Sequence, residues 1–129
     1  DLDNLKLIND SYGHAAGDKA IRAVAHAIRS IVRADDLLFR WGGDEFLVLL
    51  FGIPDGEARR RLDSLNERLS HIELSRESAP VRVNVSHGLA CFDALAHLQH
   101  AIEEADGAMY RRKQARKMEQ RETTKLDAG

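Results

Sequence analysis

The chain has 129 residues, 43% hydrophobic and 31% charged, with two prolines and a formal net charge of −2. That length fits a single domain with a real core, and the apolar fraction is too high and the net charge too small for a disordered chain. No apolar run approaches the roughly 20 residues of a membrane span, and no signal-peptide pattern opens the sequence. A lone cysteine, Cys91, forms no internal disulfide, so a reducing cytoplasm is the expected location.

The near-neutral total conceals an asymmetry. Between Arg111 and Lys125 seven basic residues face only Glu119 and Glu122, whereas carboxylates crowd at Asp1, Asp3, Asp10, Asp18, Asp35, Asp36, Asp44 and Glu45. A carboxylate cluster and a basic segment in one small domain suit a metal–phosphate ligand.

In chain order, Leu5 and Ile8 mark a short helix that closes at Tyr12-Gly13. Gly17-Asp18 precedes a longer helix carrying Ile21, Val24, Ala25, Ile28, Ile31 and Val32 on one face, with Asp18 standing where an N-cap or first-turn acid belongs. Leu37–Trp41 and Phe46–Phe51 read as strands around Gly42-Gly43-Asp44-Glu45, a hairpin with an acidic tip whose glycines are expected to supply positive φ. A second amphipathic helix follows Pro54-Asp55-Gly56, with Ala58, Leu62, Leu65, Leu69 and Ile72 on its face. Val81, Val83 and Val85 alternate as a half-buried strand running toward Phe92, and Cys91 within it reads as a small core residue. Leu98, Ile102, Ala105 and Met109 mark a last helix. This order describes an α/β domain (an α+β sandwich) with a mainly antiparallel central sheet flanked by helices.

Two long motifs carry more than secondary structure. The run Asp1-Leu2-Asp3-Asn4-Leu5-Lys6-Leu7-Ile8-Asn9-Asp10, with Gly13-His14 and Gly17-Asp18 after it, precedes Arg40-Trp41-Gly42-Gly43-Asp44-Glu45-Phe46 in the same register. Together they resemble the GGDEF family, the bacterial diguanylate cyclases, which join two GTP into cyclic di-GMP. Leu5 stands where the family has an aromatic residue. The resemblance implies a nucleotide-cyclase, palm-like fold with a GGDE β-hairpin over residues 1–118, followed by a disordered basic polar tail at 119–129. Because the family has a strand before Asp1, it also implies a piece of a longer protein that lacks its N-terminal strand and is inactive alone, with a sensor or regulatory domain upstream.

Phosphoryl transfer calls for a hard cation held by oxygen ligands. The resemblance assigns the metals, Mg²⁺ or Mn²⁺ at two per GTP, to Asp1, the backbone carbonyl of Leu2, Asp44 and Glu45. Glu45 is alternatively the group that helps deprotonate the attacking 3′-hydroxyl. Asn9 and Asp18 match the pair that reads guanine, for which a carboxylate accepts both the ring N–H and the exocyclic amine. A turn-former at Asn9 and a helix cap at Asp18 are the plainer alternatives. Gly42 and Gly43 line the substrate, and Lys6, Lys113 and Lys117 match positions near the triphosphate. Lys6 is grouped with Asp44 and Glu45 as catalytic. The family's closing segment is altered here: Arg112 replaces a small residue, Arg116 a glycine and Lys117 an arginine, which loses a planar fork to phosphate.

Arg33-Ala34-Asp35-Asp36 fits the RxxD pattern at the family's position for product inhibition, with a helix-end charge pair as the alternative. A second arginine from Arg59–Arg61 or Arg68 would complete it. The partners implied are GTP, cyclic di-GMP and a second copy of the domain in an active homodimer. No nucleic acid is expected, since Arg59-Arg60-Arg61 has no interleaved aromatics, and no membrane contact arises from this segment. His97 and His100 lack a third ligand for zinc, and His14 reads as structural. The rival function is a catalytically inactive receptor for cyclic di-GMP or GTP.

Overall fold

The computed structural model describes residues 1–75 and 79–128, in two compact units, Asp1–Val85 and Ser86–Gly129. In the first, helix α1 (Leu5–Tyr12) ends at Gly13, whose φ of +90° disfavours any side chain. The Gly13 N–H closes on the Asn9 carbonyl at 2.9 Å, and its own carbonyl accepts from the N–H groups of Ala16 and Gly17. One glycine thus ends α1 and starts helix α2 (His14–Ile31). α2 therefore begins before the position expected from Asp18, which lies inside the helix and caps nothing. Its buried stripe of Ala16, Ala20, Val24, Ala27, Ile28 and Ile31 follows helical spacing.

Strands β1 (Leu37–Arg40) and β2 (Phe46–Leu49) pair antiparallel from Leu37↔Leu49 to Arg40↔Phe46, as the sequence predicts. The expected role of the glycines is corrected: Gly42 and Gly43 do not have positive φ. The connection spans five residues, Trp41–Glu45, closed by Trp41 N–H to the Glu45 carbonyl at 2.9 Å, so no two-residue turn demands a left-handed backbone.

The second amphipathic stretch forms α3 (Asp55–Asp63) and α4 (Leu65–Arg68), interrupted at Ser64, with Ala58, Leu62, Leu65 and Leu69 buried as expected. Ile72 lies beyond the helix, paired in both directions with Val81 at 2.9 Å. The valine strand is also corrected. Val83 and Val85 are buried, but residues 81–85 form isolated bridges rather than a continuous strand. Their backbone groups bond elsewhere: Val83 N–H to the Leu69 carbonyl, Asn84 N–H to Asn4 Oδ1, and Val85 N–H to Asn66 Oδ1.

In the second unit, a 3₁₀ turn at Leu95–His97 leads into α5 (Leu98–Ala128). Gly88 approaches this helix so closely that a Cβ would overlap the Ala105 carbonyl oxygen. Residues 119–128, expected as a disordered tail, continue α5; the segment is rich in Glu, Gln, Arg and Lys, with no proline or glycine before Gly129. Cys91, expected in a buried strand, is exposed because its segment is not in a sheet. Among the described residues, no helix is long and apolar enough to cross a membrane.

Candidate functional site

The opening acidic segment is fixed on both sides. Leu2 N–H donates to the Asp44 carbonyl at 2.9 Å, and Asp3 N–H donates to the Asn84 carbonyl at 2.8 Å. Leu2 also forms an antiparallel bridge with Val85 and is 2% exposed, so its side chain anchors the segment in the core while its backbone faces the hairpin turn. Asp1 and Asp3 flank it, each with one carboxylate oxygen, Oδ1, buried from water.

The hairpin turn is held from within. Trp41 and Gly42 N–H groups both reach the Glu45 carbonyl, at 2.9 and 3.3 Å, and Arg40 Nη2 donates to the Gly43 carbonyl at 2.7 Å. Asp44 and Glu45 are half-buried. A Cβ on Gly43 would meet open space, and one on Gly42 only ordinary contacts with Glu45 at 3.7 Å. Neither backbone conformation nor packing requires glycine at these two positions. What the missing side chains leave is an exposed peptide surface that a ligand can approach closely.

The groups that the resemblance assigns to the metal are all oxygen donors: the Asp1 carboxylate, the Leu2 carbonyl, Asp44 and Glu45. That chemistry fits Mg²⁺ or Mn²⁺, which is bound through one or two carboxylates and completes its shell with water and substrate phosphate. Among the described residues, no three His, Cys, Asp or Glu side chains gather as a metal cage, so Asp1, Asp44 and Glu45 are not brought together as one.

Asn9 packs over Gly17, the residue before Asp18. A Cβ at Gly17 would overlap Asn9 Oδ1; Asn9 is half-buried and Asp18 exposed. Lys6 is exposed on α1. Lys113 and Lys117 are carried by α5 in the second unit. Within that unit Arg112 Nη1 lies 2.8 Å from His87 Nε2. Guanidinium only donates, so His87 Nε2 is the acceptor.

Asp36 has work of its own. Its Oδ2 accepts the Arg33 N–H at 2.8 Å and its Oδ1 the Phe51 N–H at 3.0 Å, tying the end of α2 to the chain beyond β2. Partial burial pushes its carboxyl upward. The two backbone N–H groups and the charges of Arg33 and Arg61 outweigh this and hold it below the usual carboxylate value. Arg61 donates to the Ile31 carbonyl at 3.1 Å and to Glu57 at 2.6 Å, which lowers the Glu57 pKa. It lines an open cleft of about 560 Å³ together with Arg60, Arg68, Ser30 and Ser64. The region named for a second arginine is therefore an arginine-lined groove.

Two supporting residues escaped the sequence reading: Arg40, which braces the turn, and Asn4, which bonds the backbone at 82–84. A basic residue just before the acidic turn is a usable signal for the first. Asn4 has none, because an asparagine before a helix reads as its cap.

Residues 1–119 match the family described as diguanylate cyclase, GGDEF domain. The chain is 34% identical over 115 residues to diguanylate cyclase DgcP of Pseudomonas aeruginosa, covering 89% of this chain and 17% of that protein. It is 37% identical over 113 residues to diguanylate cyclase DgcM of Escherichia coli, covering 88% and 27%. It thus spans under a third of either relative. Among solved structures, the GGDEF domain of YfiN (TpbB) from P. aeruginosa superposes with a TM-score of 0.78 at 38% identity, over 89% of this chain and 73% of that one. The GGDEF domain of DgcB from Caulobacter crescentus, solved with c-di-GMP, gives 0.80 at 27% identity, over 89% and 69%.

Proposed function

The chain belongs to the GGDEF domain family, and from that premise we propose that it is the catalytic domain of a diguanylate cyclase condensing two GTP into cyclic di-GMP and two pyrophosphates. The observation that carries this reading is the Leu2 N–H to Asp44 carbonyl bond, which sets the opening acidic segment against the GGDEF turn. The open peptide surface at Gly42 and Gly43 supports it, because nothing internal to the fold asks for glycine there.

In this reading Asn9 and Asp18 select guanine, and Gly42 and Gly43 let the nucleotide lie against the turn. Asp1, the Leu2 carbonyl, Asp44 and Glu45 would hold Mg²⁺ or Mn²⁺, two per GTP. When bound, the metal neutralises charge developing on the phosphates. The 3′-hydroxyl oxygen of one GTP attacks the α-phosphorus of the other, the bond to the β-phosphate oxygen breaks, and pyrophosphate leaves. Glu45, where it is not a metal ligand, takes the hydroxyl proton. Lys6 supplies positive charge to the triphosphate as a point charge, and Lys113 and Lys117 match the family's positions for the same role. Each domain holds one GTP, so the working unit is a homodimer, and an upstream domain controls its formation. Arg33, Asp36 and the arginine groove bind the product and give feedback inhibition.

The test is incubation of the intact protein with GTP and Mg²⁺, followed by chromatography for cyclic di-GMP. Product is expected, and Asp44→Ala with Glu45→Ala abolishes it. Retained synthesis in that variant would overturn the site. The arginine groove favours a second reading, a receptor. Saturable cyclic di-GMP binding without synthesis in the wild type would establish it.

A further inference from the structure

Asn4 occupies the N-cap position of α1, where an asparagine ordinarily accepts a hydrogen bond from the first turn of its own helix, yet its side chain makes no such bond. The amide is used elsewhere: Nδ2 donates to the Arg82 carbonyl at 2.9 Å, and Oδ1 accepts the Asn84 N–H at 3.0 Å. One planar side chain thus satisfies a donor and an acceptor on a segment remote in sequence, as a neighbouring strand's backbone would. The adjacent Asp3 N–H adds its bond to the Asn84 carbonyl, and Leu2 bridges Val85. The segment Asp1–Asp3 is therefore gripped from the 82–85 side through Asn4 and from the turn side through the Asp44 carbonyl.

We propose that Asn4 is a positioning residue for the divalent-metal site, holding the Asp1 carboxylate and the Leu2 carbonyl in place through its two-point hold on residues 82–84. The inference rests on the metal-site reading above and extends it to a residue outside the donor set. Groups that hydrogen-bond a metal's ligands change its affinity by roughly 10- to 100-fold when removed, and Asn4, acting one step further out through residues 82–84, is set at the low end of that range.

The substitution that separates positioning from stability is Asn4→Ser. Serine restores a side chain that can cap α1, but it cannot span both backbone groups at 82–84. Mn²⁺ titration of the intact protein, followed by electron paramagnetic resonance, is expected to show about tenfold weaker binding in Asn4→Ser. Its melting temperature should fall less than that of Asn4→Ala, because the cap offsets part of the two lost bonds. Asn4→Ala should weaken binding as much and lower the melting temperature further. Wild-type Mn²⁺ affinity in Asn4→Ser would overturn the proposal, as would a wild type that binds no Mn²⁺. If the variants do not fold, amide exchange in the wild type decides: the N–H groups of Leu2, Asp3 and Asn84 should exchange as one protected set, and an unprotected Asn84 would sink the idea. Metal binding that depends on Asn4, in a wild type that makes no cyclic di-GMP, would refute the reaction and leave this inference standing.

Discussion

Gly17 lies inside α2, where helix propensity alone favours alanine over glycine by about 1 kcal/mol. Against that gain, a Cβ at Gly17 would overlap Asn9 Oδ1. The obstructing atom is the far end of a flexible side chain, so the fold can yield by swinging the amide aside. Recognition cannot, if Asn9 helps read the base. Gly17→Ala is therefore expected to keep or raise the melting temperature while raising the KM for GTP about tenfold, the equivalent of one lost hydrogen bond. Parallel thermal melts and GTP kinetics check it, and an unchanged KM would return Asn9 to a packing role. Asp36 illustrates the opposite balance. Its depressed carboxyl contributes stability that is present above the ordinary value of 3.8 and is lost as pH falls through the lower folded value. Asp36→Ala should cost about 1 kcal/mol at pH 7, and less below pH 3, by denaturant titration at the two pH values. A pH-independent difference would contradict this account. It follows that Arg33→Ala is the cleaner probe of feedback, because altering Asp36 also loosens the end of α2.

Among the elements, those with a complete internal pattern were legible and those that borrow partners were not. The buried stripe of α2 and the α3–α4 face follow helical spacing, and both strands of the hairpin follow from apolar runs around a polar turn. Asp18 resembles a cap and so points to too late a start for α2, while the operative feature is the left-handed backbone of Gly13. The alternation of Val81, Val83 and Val85 correctly announces burial, but alternation says nothing about who supplies the ladder. Here the side chains of Asn4 and Asn66 take part of that role. Asn66 holds Val85 on both backbone groups, accepting its N–H at 3.1 Å and donating to its carbonyl at 3.2 Å. Asn66→Ala, which removes both bonds to Val85, itself 3% exposed, should lower unfolding free energy by about 1–3 kcal/mol in urea titration. A loss below a few tenths would mean that the segment is held without it. The candidate site divides in the same way. The residue types and their order in the motifs were readable, whereas the bond joining Leu2 to Asp44 belongs to the folded chain alone.

At the scale of the whole molecule, the proposed reaction sets a requirement that one copy of the domain does not meet. The product contains two identical halves, and each phosphodiester bond needs a 3′-hydroxyl from one nucleotide and an α-phosphate from the other. A single chain presents one turn at Gly42–Glu45 and, in this reading, one guanine pair at Asn9 and Asp18. Two chains related by a two-fold axis present both halves, with each hydroxyl facing the opposite phosphate. The specific rate should then depend on protein concentration. Below the dissociation constant of the dimer, product formation rises with about the square of concentration, and above it linearly. A dilution series of the intact protein at saturating GTP measures this directly. A rate proportional to concentration across the series, in a protein shown by sedimentation to be monomeric throughout, would require both half-reactions within one chain and would overturn the two-domain mechanism.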